Sequence, residues 1–166
     1  GDVYKRQVEG YTDEELKDLC MSAPETLTAE ELLYSATLFD NVNDKYSVYS
    51  SCATVHADDL RGHNNRGVCL MEMGRRNQAK EAFNKAHSIN ATNKAVLNNL
   101  GAIARQEGNI DEAASHLAKA GSSAETSYNK GLVAITNGEY GSAISNMSGS
   151  NSVNLALAKL LNGDTN

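Results

Sequence analysis

Small and bulky apolar residues recur along this chain in a fixed order. An alanine is followed four residues later by a bulky apolar side chain three times, in the pairs Ala79 and Phe83, Ala113 and Leu117, and Ala143 and Met147. No segment alternates apolar and polar residues for long enough to predict a β-strand. The pattern predicts helices near residues 13–21, 28–39, 43–56, 60–73, 77–89, 94–107, 111–119, 125–137, 140–147 and 152–162.

Pairs of glycines keep the same register as these alanines. The first glycine of each pair follows an asparagine by two residues and the second comes seven residues later, in the pairs Gly67 and Gly74, Gly101 and Gly108, and Gly131 and Gly138. Asn65 and Asn99 are 34 residues apart, as are Ala86 and Ala120. A repeat of this length is typical of a helical solenoid, in which the first glycine lets two helices approach closely and the second ends a helix.

The chain resembles the tetratricopeptide repeat family in two consecutive segments, "LRGHNNRGVCLMEMGRRNQAKEAFNKAHSINATN" and "KAVLNNLGAIARQEGNIDEAASHLAKAG". This resemblance implies an all-α fold, a right-handed α-solenoid of antiparallel helix pairs with about four units, the later ones shortened. The chain departs from the family pattern where Ala57 and Ala91 replace the usual proline. His63 and Leu97 replace the usual aromatic residue.

The repeat register divides the chain into predicted segments. Residues 1–7 contain "DVYKRQ", which resembles the translation of a sequencing adapter, so we expect the chain to be a fragment of a longer reading frame. Residues 8–25 are predicted to be a linker or the end of an upstream domain. The repeat domain covers 26–166. Its predicted units are 26–59, 60–93, 94–123 and 124–148, followed by a partial unit, 149–166.

The outer units follow the register less strictly than the two central ones. Thr28 followed three residues later by Glu31 predicts a capping box that opens the first unit. The turn of that unit is expected at 41–43. In the later units the stretches "GSSAET" and "MSGSNS" are rich in serine and glycine, and they predict second helices that end early.

Charge and composition narrow the range of partners. The chain has a formal net charge of −6, which argues against nucleic acid or an anionic membrane as its main partner. No apolar run reaches the roughly 18 residues that a transmembrane helix needs. Cys20, Cys52 and Cys69 do not make a disulfide framework. The register predicts that Cys52 packs as a small buried residue, while a bridge between Cys52 and Cys69 in an oxidising compartment stays open.

One stretch, "HADDLRGH", brings His56, Asp58, Asp59 and His63 within eight residues, a set that could bind zinc or another divalent ion. The alternative, which we favour, is a turn between two units whose acids cap the next helix. The chain has no glycine-rich phosphate loop, nucleophile elbow or His-Glu-x-x-His motif. We therefore expect no enzymatic activity, no metal site and no cofactor in this segment.

The resemblance also implies a concave groove lined by the first helix of each unit. The matching positions are Asn64, Val68, Met71 and Glu72, then Asn98, Ala102, Arg105 and Gln106, and then Tyr128, Leu132 and Ile135. They are mostly neutral, so the expected partner is a protein or peptide segment bound through apolar and amide contacts. Recurring asparagines are expected to face this groove or to bond neighbouring units; they are Asn65, Asn99, Asn129 and Asn154.

A second resemblance concerns the flank "GYTDEELKDLCMSAPETLTAEELLYSATLFDN". This stretch is similar to the linker and repeat region of outer-membrane-protein-A-like envelope proteins of Gram-negative gut bacteria, which implies a location in the periplasm or at the outer membrane. The predicted function is a non-catalytic protein-interaction scaffold. The alternative is a structural spacer or oligomerisation module, for which the shortened last units would supply a self-association surface.

Overall fold

The computed structural model describes residues 10–163, and within this range it contains helices and no strand. The α-helices are α1 (Asp13–Ser22), α2 (Ala29–Ala36), α3 (Val42–Val55), α4 (Leu60–Glu72), α5 (Arg76–Ile89), α6 (Lys94–Gln106), α7 (Ile110–Ala118), α8 (Ala124–Thr136), α9 (Tyr140–Met147) and α10 (Val153–Leu161). The predicted all-α fold of helix pairs is confirmed, with every helix boundary within three residues of its expected position. The predicted adapter, 1–7, lies outside the described residues.

The turn of the first unit lies earlier in the chain than the sequence predicted. The prediction of 41–43 is wrong, because α2 ends at Ala36 and the turn occupies 37–41. Asn41 is the N-cap of α3, and its side chain accepts a hydrogen bond of 2.9 Å from the backbone N–H of Asp44. An asparagine that satisfies a free N–H group in this way starts a helix rather than continuing a turn.

Capping boxes open α1 and α2. The predicted box at Thr28 is confirmed: its hydroxyl accepts a bond of 3.1 Å from the backbone N–H of Glu31, and the Glu31 carboxylate accepts one of 2.9 Å from the backbone N–H of Thr28. Thr12 and Glu15 make the same pair of bonds at the start of α1. A short 3₁₀ helix at Pro24–Thr26, which the sequence analysis did not predict, joins the two helices.

The helices α1 to α5 belong to the first of two compact units, which ends at Ala91. Its core includes a cluster of buried apolar side chains from α1, α2, α3 and the segment before α2. The members of this cluster are Leu16, Cys20, Leu27, Leu32, Ala36, Val48 and Cys52. The helix α1, which falls in the predicted linker segment, therefore packs on the first repeat through Leu16 and Cys20.

The helices α6 to α10 belong to the second unit, which begins at Thr92. In this unit α6 packs against α7, and α8 packs against α9. Gly108 has a φ of +83° just after α6, the left-handed conformation that favours glycine, so it ends the helix as the sequence predicted. Gly74 does the same after α4, with a φ of +76°.

Candidate functional site

The first helices of the second unit, α6 and α8, lie side by side and are joined by a pair of amides. The side-chain NH₂ of Asn129 on α8 donates a hydrogen bond of 2.9 Å to the side-chain oxygen of Asn98 on α6. Asn98 is only 5% exposed. On the other side of α8, Asn154 on α10 donates a bond of 2.8 Å to the Tyr128 hydroxyl. The expected bonding between neighbouring units is thus confirmed for Asn129 and Asn154.

These bonds leave a partly exposed surface, which we call the α6–α8 face. It consists of Ala102, Arg105, Gln106, Tyr128 and Leu132; Gln106 is exposed and the others are half-buried. Their spacing of three or four residues places them on one side of each helix. Ile135, also predicted to line the groove, is half-buried and packs against the buried cluster of Ala134, Ala143 and Ala158.

Arg105 is the cation on the α6–α8 face. Its Nε atom is buried and has no hydrogen-bond partner among the described residues. A buried donor without an acceptor costs free energy, and the cost is larger for a charged group. The unmet requirement for an acceptor thus belongs to a half-buried arginine, which shares its side of α6 with Ala102.

The predicted groove positions of the first unit lie on α4 and differ in exposure. Asn64 is 9% exposed, whereas Val68 is 40% exposed. Met71 is half-buried and Glu72 is exposed. The structure thus leaves Val68 and Glu72 open to a partner and places Asn64 in the interior.

Sequence reasoning missed Arg66, which also lies on α4. Its guanidinium donates hydrogen bonds to the Ser50 hydroxyl (3.2 Å) and the Tyr46 hydroxyl (3.1 Å) of α3. It also lies 5.3 Å from the centre of the Tyr46 ring, within the range of a cation–π interaction. The only signal in the sequence would have been an arginine beside Gly67, a position held by Leu100 and Lys130 in the later units.

The histidines and acids of the "HADDLRGH" stretch do not converge. The Nε2 atom of His56 donates to the carbonyl of Leu27 (2.8 Å), and that of His63 donates to the carbonyl of Ala57 (2.9 Å). Between residues 10 and 163 no group of three or more His, Cys, Asp or Glu side chains is arranged to hold a metal ion. Residues 56–59 are instead the turn before α4, as the favoured interpretation held, and 60–63 form the start of that helix.

Asp59 caps α4 and is held by an arginine. Its carboxylate accepts hydrogen bonds from the backbone N–H (3.0 Å) and the Nη2 (2.7 Å) of Arg61, and Arg61 also pairs with Glu30 at 2.6 Å. The side-chain hydrogen bonds from Arg61 hold the pKa of Asp59 below its usual value. The site is therefore a helix cap reinforced by an ion pair, which stabilises the joint between α3 and α4.

The three cysteines are buried thiols. None is joined in a disulfide, and burial raises the pKa of each of them, in the case of Cys52 to about 11. Cys52 is fully buried, as its register position predicted. A thiol with a raised pKa is a poor nucleophile near neutral pH, so these residues act as packing groups.

A cleft of about 470 Å³ opens between α7, α8 and α9, and the sequence analysis did not predict it. Its floor is apolar and its rim is polar. The lining residues are Ala114, Leu117, Ala118, Lys130, Val133, Ala134, Asn137, Glu139, Ser142 and Asn146. The predicted early ends of α7 and α9 did not indicate a cleft at this place.

No helix within the described part of the chain combines the length and the apolar character that crossing a bilayer requires.

The tetratricopeptide repeat family model matches residues 60–93, the segment formed by α4 and α5. A search of curated proteins finds no match. Among solved structures the chain is similar to the APC/C hetero-tetramer Cut9-Hcn1, with a TM-score of 0.74 and 17% identity over 90% of this chain. It covers 32% of that protein's chain, so it spans about a third of its length.

Two further structures share the fold over most of their own length. A tetratricopeptide repeat protein from Parabacteroides merdae has a TM-score of 0.70 at 17% identity, over 92% of this chain and 66% of its own. YrrB, a tetratricopeptide repeat protein with an unusual peptide-binding site, has a TM-score of 0.65 at 15% identity. The match covers 93% of this chain and 87% of the YrrB chain. The chain therefore carries a tetratricopeptide repeat at 60–93 and has the helix-pair fold of tetratricopeptide repeat structures.

Proposed function

We propose that this chain is a non-catalytic protein-interaction scaffold that holds a segment of a partner protein on its first helices. The α6–α8 face carries the proposal. It sets apolar side chains and an arginine lacking an acceptor on two helices whose relative position is fixed by the Asn98–Asn129 bond. A surface fixed before binding loses less conformational entropy when a partner docks, so more of the contact energy appears as affinity.

The kind of segment follows from the side chains on this face. Leu132 and Ala102 offer apolar contact, while the Tyr128 hydroxyl, which accepts a bond from Asn154, keeps its own hydrogen to donate to an acceptor of the ligand. Tetratricopeptide folds are generally interaction scaffolds, and the similar structure of YrrB is that of a peptide-binding protein. Both points support a peptide or a protein segment as the ligand class, rather than a small molecule.

Selection from a displayed library of random peptides tests the proposal. Peptides enriched on the wild-type chain should lose most of their binding to a Leu132→Asp variant, because the charge would be desolvated in the contact. They should keep it with Ser115→Asp, which adds the same charge to an exposed position of α7. Circular dichroism should show equal helix content in both variants. Failure to enrich any peptide, or equal loss with both variants, would refute the proposed binding face.

A second function, self-association, is favoured by one observation on α10. This helix exposes large apolar side chains, with Val153 84% and Leu160 68% exposed, and its single charge is Lys159. Apolar surface of this kind marks an interaction site when it forms a continuous patch. In this alternative the repeats serve as an oligomerisation module or spacer with no separate ligand.

Sedimentation equilibrium separates the two functions. If the chain is an oligomerisation module, the wild type should be dimeric or larger, and Leu160→Lys should make it monomeric. If the scaffold proposal holds, Leu160→Lys should leave the binding of selected peptides unchanged. A monomeric wild type would exclude self-association through α10.

The cell-envelope location is a further part of the proposal. It is supported by the similarity of the flank that runs into "EELLYSATL" to outer-membrane-protein-A-like envelope proteins. Sequencing the source DNA beyond both ends of this chain tests it. A signal peptide and a peptidoglycan-binding domain upstream would support the envelope location, and a cytoplasmic start without such a domain would overturn it.

A further inference from the structure

Charge is distributed unevenly between the first helices of the second unit and the rest of the chain. The formal net charge of the whole chain is −6. By contrast, α6, α8 and α10 together carry four basic residues and one acidic residue, a net charge of +3. These residues are Lys94, Arg105, Lys130 and Lys159, with Glu125 as the acid. Of these cations only Arg105 belongs to the α6–α8 face. In a protein that is acidic overall, a face whose only charge is positive favours an acidic ligand through charge complementarity.

The cations of these helices differ in the hydrogen bonds and ion pairs that they already make within the protein. The Lys130 ammonium donates a hydrogen bond of 2.8 Å to the carbonyl of Gly121. Arg105 makes no ion pair with a described residue, and its Nε is buried without an acceptor. Arg61 of the first unit shows the contrast, because its guanidinium is held by two carboxylates, those of Asp59 and Glu30.

The structure of the site favours a carboxylate over other acceptors. A guanidinium presents its N–H donors in a planar fork that matches the two oxygens of a carboxylate. Arg105 lies one helical turn beyond Ala102 on α6, so an acid bound there would leave the neighbouring part of a ligand close to apolar side chains. A ligand that pairs with Arg105 and also contacts the apolar side chains of this face would thus combine an acidic residue with an apolar one.

We propose that the α6–α8 face binds an acidic segment of a partner protein, with an aspartate or glutamate side chain on Arg105 and an apolar side chain of the same segment against Leu132 and Ala102. This inference rests on the proposed scaffold function and names the chemistry of its ligand. It predicts that binding depends on one cation, and that this dependence disappears when the acids of the ligand are removed.

Fluorescence anisotropy with defined peptides tests the inference. The probes are a labelled peptide enriched from the random library and the same peptide with its Asp and Glu residues replaced by Asn and Gln. Arg105→Gln should weaken binding of the acidic peptide by about tenfold or more, since a charge-assisted bond is lost. Lys119→Gln is the matched control, because it removes one positive charge from an exposed position at the end of α7. It should change binding less than twofold.

The outcomes separate this inference from the proposed function. If the enriched peptides contain acids, if Arg105→Gln weakens only the acidic peptide, and if Arg105→Lys restores part of the loss, the inference holds. If the enriched peptides are neutral and respond to Leu132→Asp but not to Arg105→Gln, the acidic ligand is wrong while the scaffold function stands. Equal effects of Arg105→Gln and Lys119→Gln would also overturn it, because binding would then depend on net charge alone.

Discussion

Gly67 of α4 lies directly against the ring of Phe83 of α5. A Cβ atom added to Gly67 would lie 2.5 Å from Cε1 of Phe83 and less than 3 Å from two more of its ring atoms. Phe83 is 1% exposed, and its ring is rigid, so it cannot bend away from an added methyl group. The glycine of this repeat is therefore required by the close contact of two helices rather than by its backbone conformation.

Gly67→Ala should lower the free energy of unfolding by about 1–3 kcal/mol, because overpacking forces the ring and the helix apart. This loss should exceed the gain of about 1 kcal/mol that alanine brings to a helix interior. Gly131→Ala should cost less, since the side chain over Gly131 is Met147, which is flexible and can adjust. Chemical denaturation followed by circular dichroism measures both changes.

Gly141→Ala is the matched control for these variants. Gly141 lies within α9, and an added Cβ would meet no atom within 4 Å. This variant should raise the free energy of unfolding by up to about 1 kcal/mol. If Gly67→Ala and Gly141→Ala shifted stability in the same direction, the ring contact could not be the reason for the glycine at position 67.

The amide pair of Asn98 and Asn129 gives a prediction for the second unit. Asn129→Ala removes the donor and leaves the buried oxygen of Asn98 without a partner, which should cost about 1–3 kcal/mol. Asn146→Ala is the comparison, because the Asn146 side chain bonds only within its own exposed turn of α9, and it should cost less than about 0.5 kcal/mol.

A double-mutant cycle with Asn98→Ala isolates the bond itself. The coupling energy between positions 98 and 129 should be about 0.5–1.5 kcal/mol, as measured by denaturation of the single and double variants. Coupling near zero would show that the two amides contribute independently, and the α6–α8 face would then lack the fixed geometry on which the scaffold proposal depends.

The repeat positions could be predicted from the sequence because the small and bulky partners within a repeat stand at fixed spacings. Gly101 and Leu117 are an example. They stand at a fixed spacing in the sequence of the repeat, and the structure brings them into contact. Helix starts were also predictable where the cap is local, as at Thr28. These features need no knowledge of how distant parts of the chain meet.

Contacts across helices were not predictable in the same way. The bonds from Arg66 to Tyr46 join residues 20 positions apart, and tyrosine at that point has no fixed relation to the repeat. The buried Nε of Arg105 is a second case, because its lack of a hydrogen-bond partner depends on where the surrounding side chains lie. The cleft beside α8 is a third case, because residues of three helices line it and its size depends on how they pack.

The pKa of Asp59 leads to a prediction about pH. Hydrogen bonds from Arg61 lower this pKa from its ordinary value of 3.8, so the carboxylate stabilises the folded state above that pH. The contribution is lost as the pH falls through the lower pKa of the folded protein. Asp59→Asn keeps an N-cap residue but removes the charge, and it should cost about 0.5–1 kcal/mol at neutral pH.

Urea denaturation of the wild type and Asp59→Asn at several pH values measures this effect. The difference in the free energy of unfolding between the two proteins should shrink as the pH falls below 3.8, the ordinary pKa of the carboxyl, and should vanish once Asp59 is protonated in the folded protein as well. A difference that stays constant across this range would mean that the Asp59 charge is not what stabilises the start of α4.

The buried thiols give the last prediction. Burial raises the pKa of Cys20, Cys52 and Cys69, so little thiolate is present at about pH 8 and a disulfide reagent reaches none of the three readily. Reaction with a chromogenic aromatic disulfide should therefore be slow in the folded protein. It should become fast, with three thiols per chain, once denaturant is added.

The number of reactive thiols in denaturant also decides between free cysteines and a bridge. Purification without reductant, in air, gives a Cys52–Cys69 disulfide the chance to form, and such a bridge would leave only Cys20 to react. Three reactive thiols under these conditions would show that packing of the folded unit protects the cysteines from oxidation. Fast reaction of the folded protein would contradict the burial of these side chains and, with it, the packing role of Cys52 in the core shared by α1, α2 and α3.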